Sequence, residues 1–356
     1  MIRAMVIRLI VVVLLCVPAL MPAGADHAVA ASPLMKAPTW QVLVAANSQP
    51  RLSHPEGLAI DLRGHSLQKW MYLADTGHNR IVKLGTGGHY LGSWGSRGAG
   101  PGKFVLPAGA AVDGHGNVYV ADSGNNRIQK FDSQGHFLAQ WGTAGTEPGQ
   151  FSGPAAVAVG GSGNVFVADR NNKRIEKFSP MGHLLAVWPV TIPVAPNPNG
   201  FGPVGPYALT VGSSGKIYTA VDTGQCSGGH CVMDYIALET LSPSGKITRI
   251  VVGGNPYGRF SYPAVPGVTS VLGPWWQIGA LIVDSQGHVF LGEWNASDRT
   301  SVTELSTNAK VLGQWQLPPP SGLKGWPPQG MALDPRGNVY VADTIANRVL
   351  KLVFRP

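Results

Sequence analysis

Gly116-Asn117-Val118-Tyr119-Val120-Ala121-Asp122-Ser123-Gly124-Asn125-Asn126-Arg127-Ile128-Gln129-Lys130-Phe131 decides how the rest of the chain is read. Val118 and Val120 alternate with Tyr119 and Ala121, a polar corner runs from Asp122 to Asn126, and a second alternating run leads from Arg127 to Phe131. Two alternating runs joined by Gly and Asn make a β-hairpin. Upstream, Pro107-Ala108-Gly109-Ala110-Ala111-Val112-Asp113 reads as a strand of small residues. Downstream, His136-Phe137-Leu138-Ala139-Gln140-Trp141-Gly142 reads as a strand ending in a large aromatic. The unit is therefore four strands, small at one edge and bulky at the other.

The unit returns along the chain. Leu73-Ala74-Asp75 is followed by Asn79-Arg80-Ile81, Val167-Ala168-Asp169 by Lys173-Arg174-Ile175, and Val341-Ala342-Asp343 by Asn347-Arg348-Val349. Asp75, Asp122 and Asp169 are spaced by 47 residues, a period that belongs to propeller blades or solenoids. Weaker copies, Lys216 to Asp222 and His288 to Glu293, bring the number of units to six.

The pattern Pro-x-Gly-x-Ala-x-Asp, then Gly-Asn-Val-Tyr-Val-Ala-Asp, then Asn-Arg-Ile-x-Lys-Phe, with Gly-x-Phe-Leu-x-x-Trp-Gly closing each unit, resembles the NHL repeat. The resemblance implies an all-β fold: a six-bladed β-propeller of four-stranded antiparallel blades over residues 39–356. Thr39 to Ala45 reads as an outer strand with no blade before it, and the last unit, ending near Phe354, lacks an outer strand. Joining the two closes the ring and removes its open edges.

Residues 1–25 read as a secretory signal, with Arg3 and Arg8, an apolar core from Ile7 to Val17 and a small-residue cleavage site at Ala23-Gly24-Ala25, or as late as Ala30. The apolar core is shorter than the roughly 20 residues a spanning helix needs. Residues 26–38 read as a flexible leader. The expectation is a secreted or periplasmic monomer with no stable membrane span after cleavage. The formal net charge of +8 carries no basic run, so nucleic acid is not an expected partner. Cys226 and Cys231, flanking Ser-Gly-Gly-His, are expected to form a disulfide, since their spacing matches no standard zinc pair.

Four strands per blade put the Asp122 to Asn126 corners and the Pro-rich inter-blade loops on one face. Short Gly turns, some carrying His89, His136, His183, His115 or His288, fall on the other. Peptidyl-hydroxyglycine lyases of the same repeat family hold zinc on His residues directly after the Pro that opens the inner strand. The matching positions here are Glu56, Ala108, Ala155, Tyr207 and Gln329. With no histidine among them, lyase chemistry is not carried over and no cofactor is expected, while a structural or axial divalent ion such as calcium, or a metal on Cys226, His230 and Cys231, stays open. The repeated Asp75, Asp122, Asp169 and Asp343 are assigned to the corners themselves, accepting backbone N–H groups and pairing with Arg80, Arg127, Arg174 and Arg348.

Functional residues are sought where the repeat fails. The long loop before the fourth unit carries Phe201, the one before the fifth Tyr257, Tyr262, Trp275 and Trp276, and the one before the sixth Trp326. Glu293 replaces the repeat Asp, with Trp294 after it. Glu56, Tyr207 and Gln329 are expected near the axial mouth. Phe201 apart, these ten residues form the expected ligand-binding set for an extracellular protein, peptide or glycan. The alternative is a metal-dependent lyase or hydrolase at the axial mouth, using Glu56, Asp222 or Glu293.

Overall fold

The computed structural model describes residues 38–45, 48–62, 69–190, 205–227, 230–252, 277–295, 299–319 and 327–354. Six four-stranded antiparallel sheets follow one another, a six-bladed propeller. Blade 1 comprises Pro55–Asp61, Trp70–Asp75, Arg80–Gly85 and Tyr90–Trp94; blade 2 Pro107–Val112, Val118–Asp122, Arg127–Phe131 and Phe137–Trp141. Blade 3 comprises Pro154–Val159, Val165–Asp169, Arg174–Phe178 and Leu184–Pro189; blade 4 Gly205–Val211, Ile217–Ser227, His230–Leu241 and Ile247–Val252. Blade 5 comprises Gln277–Val283, Val289–Asn295, Arg299–Leu305 and Val311–Gln316. Blade 6 comprises Gly330–Leu333, Val339–Asp343 and Arg348–Val353, and its fourth strand is Thr39–Val44, paired antiparallel to Arg348–Val353 with Trp40 opposite Leu352. The N-terminal strand thus closes the ring as the sequence predicts. Among the described residues no helix is long and apolar enough to cross a membrane.

Burial follows strand position. Val118–Asp122 is buried at every residue because both faces of a second strand meet neighbouring blades, whereas Phe137–Trp141 alternates toward solvent at the rim. Each core lies between two blades, so the length of the chain needs no single oversized core. Between blades 2 and 3, Tyr119, Ile128, Val167 and Phe178 pack with Phe151, which plugs in from the inter-blade loop, and Trp141 closes the rim edge. Phe104 does the same one blade earlier, 5.6 Å from Phe131. A fully buried Phe of this kind contributes about 2–3 kcal/mol.

At the axis the small residues have a steric cause. A Cβ on Gly57 would lie 2.5 Å from the Ala108 carbonyl oxygen, and one on Gly330 1.9 Å from that of Glu56. Neighbouring inner strands therefore approach closer than side chains allow.

The corners knit each blade to the next. Asp122 Oδ1 accepts Val105 N–H at 2.8 Å, and Oδ2 accepts Arg127 Nε at 2.8 Å and Asn125 Nδ2 at 2.9 Å. Asp75 and Asp169 repeat the arrangement with Ser53, Arg80, Ser152 and Arg174. Each of these carboxylates is fully buried and held by charge-assisted bonds, the structural role assigned from sequence. Past the corner, Asn79, Asn126 and Asn347 adopt left-handed backbone, and their side chains accept N–H groups of Leu106, Gly153 and His54 in the following blade. The residue after the Asp adds a third link: Thr76 Oγ1 donates to the Pro107 carbonyl at 2.7 Å, Ser123 Oγ to Pro154, and Thr344 Oγ1 to Pro55 at 2.7 Å.

Two details depart from the sequence reading. In blade 4, Val221 rather than Asp222 takes the register of the repeat Asp, opposite Pro206 as Asp122 is opposite Pro107. Tyr218 fixes this by occupying the buried Tyr119 position. The fourth corner also continues as a β-ladder, with Thr223 opposite Tyr235 and Cys226 opposite Cys231, so the expected loop is an extended hairpin arm.

Candidate functional site

The residue after each opening Pro is a bulge. Pairing jumps from Pro107 to Gly109, from Pro154 to Ala156 and from Pro206 to Ala208, leaving Ala108, Ala155 and Tyr207 out of the ladder. The jump in blade 1, from Pro55 to Leu58, releases Glu56. A bulge re-aims the extra side chain, and here it points to the axis. These residues line a cavity of about 650 Å³ at the corner face, together with His54, Arg170, Asn171, Gln329 and Ile345. Ala108, Ala155, Tyr207 and Gln329 also border the narrow axial channel beneath, so they form the floor of the mouth.

Glu56, Tyr207 and Gln329 are brought together as expected. Glu56 is the most distinctive. Its carboxyl is pushed up to about 7 because burial disfavours the charged form, and among the described residues no donor or cation is bonded to it. His54 stands beside it at the lip, in left-handed backbone, its N–H bonded to Asn347 Oδ1 at 2.6 Å.

Arg170 was missed from sequence. It occupies the position of Thr76, Ser123 and Thr344, one residue past the repeat Asp, and its guanidinium lies 5.9 Å from the Tyr207 ring centroid in the next blade. That cation–π contact replaces the hydroxyl link and sets a positive group on the mouth wall. Aligning the six corners residue by residue would have revealed it; the expectation that corners are structural concealed it.

Glu293 takes the place of the repeat Asp but does not line the mouth. It is fully buried, and Oε1 accepts Ser301 Oγ at 2.6 Å, Thr303 Oγ1 at 2.7 Å and Gln314 Nε2 at 2.7 Å. Ser301 stands where blades 1, 2, 3 and 6 have Arg, so among the described residues no cation offsets burial, and the carboxyl is pushed up to about 7. A longer acid reaching toward the outer strand places this carboxyl within blade 5, away from the mouth residues. Trp294 is described only in its backbone, as are Cys226 and Cys231. Tyr257, Tyr262, Trp275, Trp276 and Trp326 lie outside the described residues.

A family model for the NHL repeat matches residues 104–131 and 151–178. No curated protein matches the chain significantly in sequence. Among solved structures, a gluconolactonase from Xanthomonas campestris superposes with a TM-score of 0.55 at 13% identity, over 89% of this chain and 90% of that one. A streptogramin B lyase gives 0.52 at 14%, over 89% and 98%. The WD40 repeats of RRP9 give 0.54 at 11%, over 90% and 100%. At such identities the likeness is one of fold, shared by enzymes and by a repeat domain alike. Register and blade count agree with the repeat match: the chain is a six-bladed β-propeller that carries NHL repeats at residues 104–131 and 151–178.

Proposed function

We propose that this propeller is an exported recognition module that takes part of a peptide, glycan or protein partner into the axial mouth of its corner face. One observation carries the reading: residues that break the repeat, Glu56, Arg170, Tyr207 and Gln329, converge on one open cavity. Nothing in blade architecture calls for them, since Ala108 and Ala155 hold the Glu56 position in blades 2 and 3. Tyr207 supplies a large, stiff contact surface and Arg170 a directional donor. In this reading Trp275, Trp276 and Trp326 add contacts from the long loops, and a Cys226–Cys231 disulfide stiffens the hairpin arm. The latter is supported by register, because directly opposed residues of an antiparallel pair have Cα separations within disulfide range. Removal of residues 1–25 delivers the protein to a compartment where that bond persists.

Peptide and glycan arrays probed with the mature protein test the reading. Tyr207→Ala and Arg170→Ala are expected to lose at least tenfold in affinity while remaining folded, and equal binding by both variants sinks it. A second reading has one observation in its favour: the Glu56 carboxyl, at about 7, is poised to hold or release a proton near neutrality, as a lyase or hydrolase requires. Of the three carboxylates first considered for a metal there, Glu56 lines the mouth and Glu293 is turned away. Hydrolysis or elimination with a rate midpoint near pH 7 that disappears in Glu56→Gln would establish this second reading.

A further inference from the structure

The repeat Asp residues of blades 1 to 3 and 6 are each bonded to an Arg, and Glu293 has three donors. Glu56 has neither among the described residues, though it borders a cavity wide enough for a ligand. Its backbone is fixed by the blade, since its carbonyl oxygen lies against Gly330 and the preceding Pro55 carbonyl accepts Thr344 Oγ1. The side chain is thus firmly presented while its charge is left uncompensated. A carboxylate in that state gains most from a cation that arrives with the ligand.

The surroundings select the kind of cation. Gln329 offers a neutral amide close by, and Ala108, Ala155 and Ile345 give small or apolar walls. Across the mouth, the Arg170 guanidinium over Tyr207 repels a second positive group and favours a negative or polar one. A compact donor with several N–H bonds suits the Glu56 and Gln329 oxygens better than a planar guanidinium, which needs a matching fork.

We infer that the mouth is a receptor for a primary ammonium group, which seats on Glu56 while the acidic or polar remainder of the same ligand extends toward Arg170 and Tyr207. The ligand class is an amine-bearing metabolite, a peptide N-terminus or a lysine side chain. This rests on the mouth being the binding site proposed above. It extends that reading by assigning the class of ligand and its direction.

The test uses n-butylammonium as probe, with n-butanol at matched ionic strength as its uncharged counterpart, on the mature protein with ¹³C-labelled glutamate. Ammonium binding should lower the Glu56 titration midpoint from about 7 by at least one pH unit, and the alcohol should leave it in place. Glu56→Gln should reduce n-butylammonium affinity at least tenfold, while Arg170→Ala should retain it. Equal effects of amine and alcohol, no effect of 100 mM amine, or undiminished binding by Glu56→Gln would each overturn the inference. An array partner lost in Tyr207→Ala but indifferent to acetylation of its amines would leave the recognition module standing and remove only the ammonium.

Discussion

Asp122 shows how much one side chain holds. Its two oxygens tie together a backbone amide of the preceding loop, the Arg127 guanidinium, Asn125 and Gln129. Asp122→Ala leaves the nearly buried Arg127 without its carboxylate, so a loss of about 3 kcal/mol is expected in urea denaturation. Glu239 is the reverse case. It is fully buried in blade 4, neither oxygen has a hydrogen-bond partner among the described residues, and burial pushes its carboxyl up to about 7. Because the folded protein binds this proton more tightly than the unfolded chain does, this group's contribution to stability is fully present below about pH 4.5. It falls as the pH rises toward about 7, by up to about 3 kcal/mol. Glu239→Gln should flatten that part of the profile when denaturation is compared at pH 5 and pH 8; an unchanged slope would show that the proton resides elsewhere. The mouth residues were legible to different degrees for a physical reason. Glu56, Tyr207 and Gln329 follow a Pro whose place in the unit is fixed, so their position could be read from spacing. Arg170 sits in a corner whose neighbours are structural, and Glu293 has a length that lets it turn inward.

Strands and turns were legible wherever alternation and Gly turns coincided, which covers blades 1, 2, 3 and 6. Blade 4 was less so, because Ala220-Val221-Asp222 offers an Asp one residue beyond the true register, and only the burial of Tyr218 decides between the two. The hairpin arm beyond it read as a loop because Thr223 to Ser227 lacks the apolar alternation of a half-buried strand. Inner strands give a sharp prediction. Gly330→Ala forces a Cβ against the Glu56 carbonyl oxygen, and should cost about 1–3 kcal/mol and weaken ligand binding together, since the strand bearing Glu56 must shift. Gly161→Ala, in an open turn with nothing near its added Cβ, should stay within about 0.5 kcal/mol in the same thermal melt.

On the scale of the whole ring, closure depends on six residues from the far end of the chain. Removing Thr39–Val44 exposes the edge of Arg348–Val353 and uncovers the core around Val44 and Trp40. A lower Tm and self-association through that edge are expected in calorimetry and size-exclusion chromatography, with partial rescue by a peptide spanning residues 38–45. The links running from each corner to the next blade have a further consequence. They are present from blade 6 to 1, 1 to 2 and 2 to 3, but at the next joint Arg170 replaces the hydroxyl and Lys173 replaces the Asn. The wheel therefore has a seam, and the seam opens onto the mouth. A ligand held by both Arg170 of blade 3 and Tyr207 of blade 4 would act as a clasp across it, so that what the protein recognises also sets how often it breathes. Slower amide exchange in Gly205–Val211 on ligand addition, with blades 1 and 2 little changed, is the expected signature.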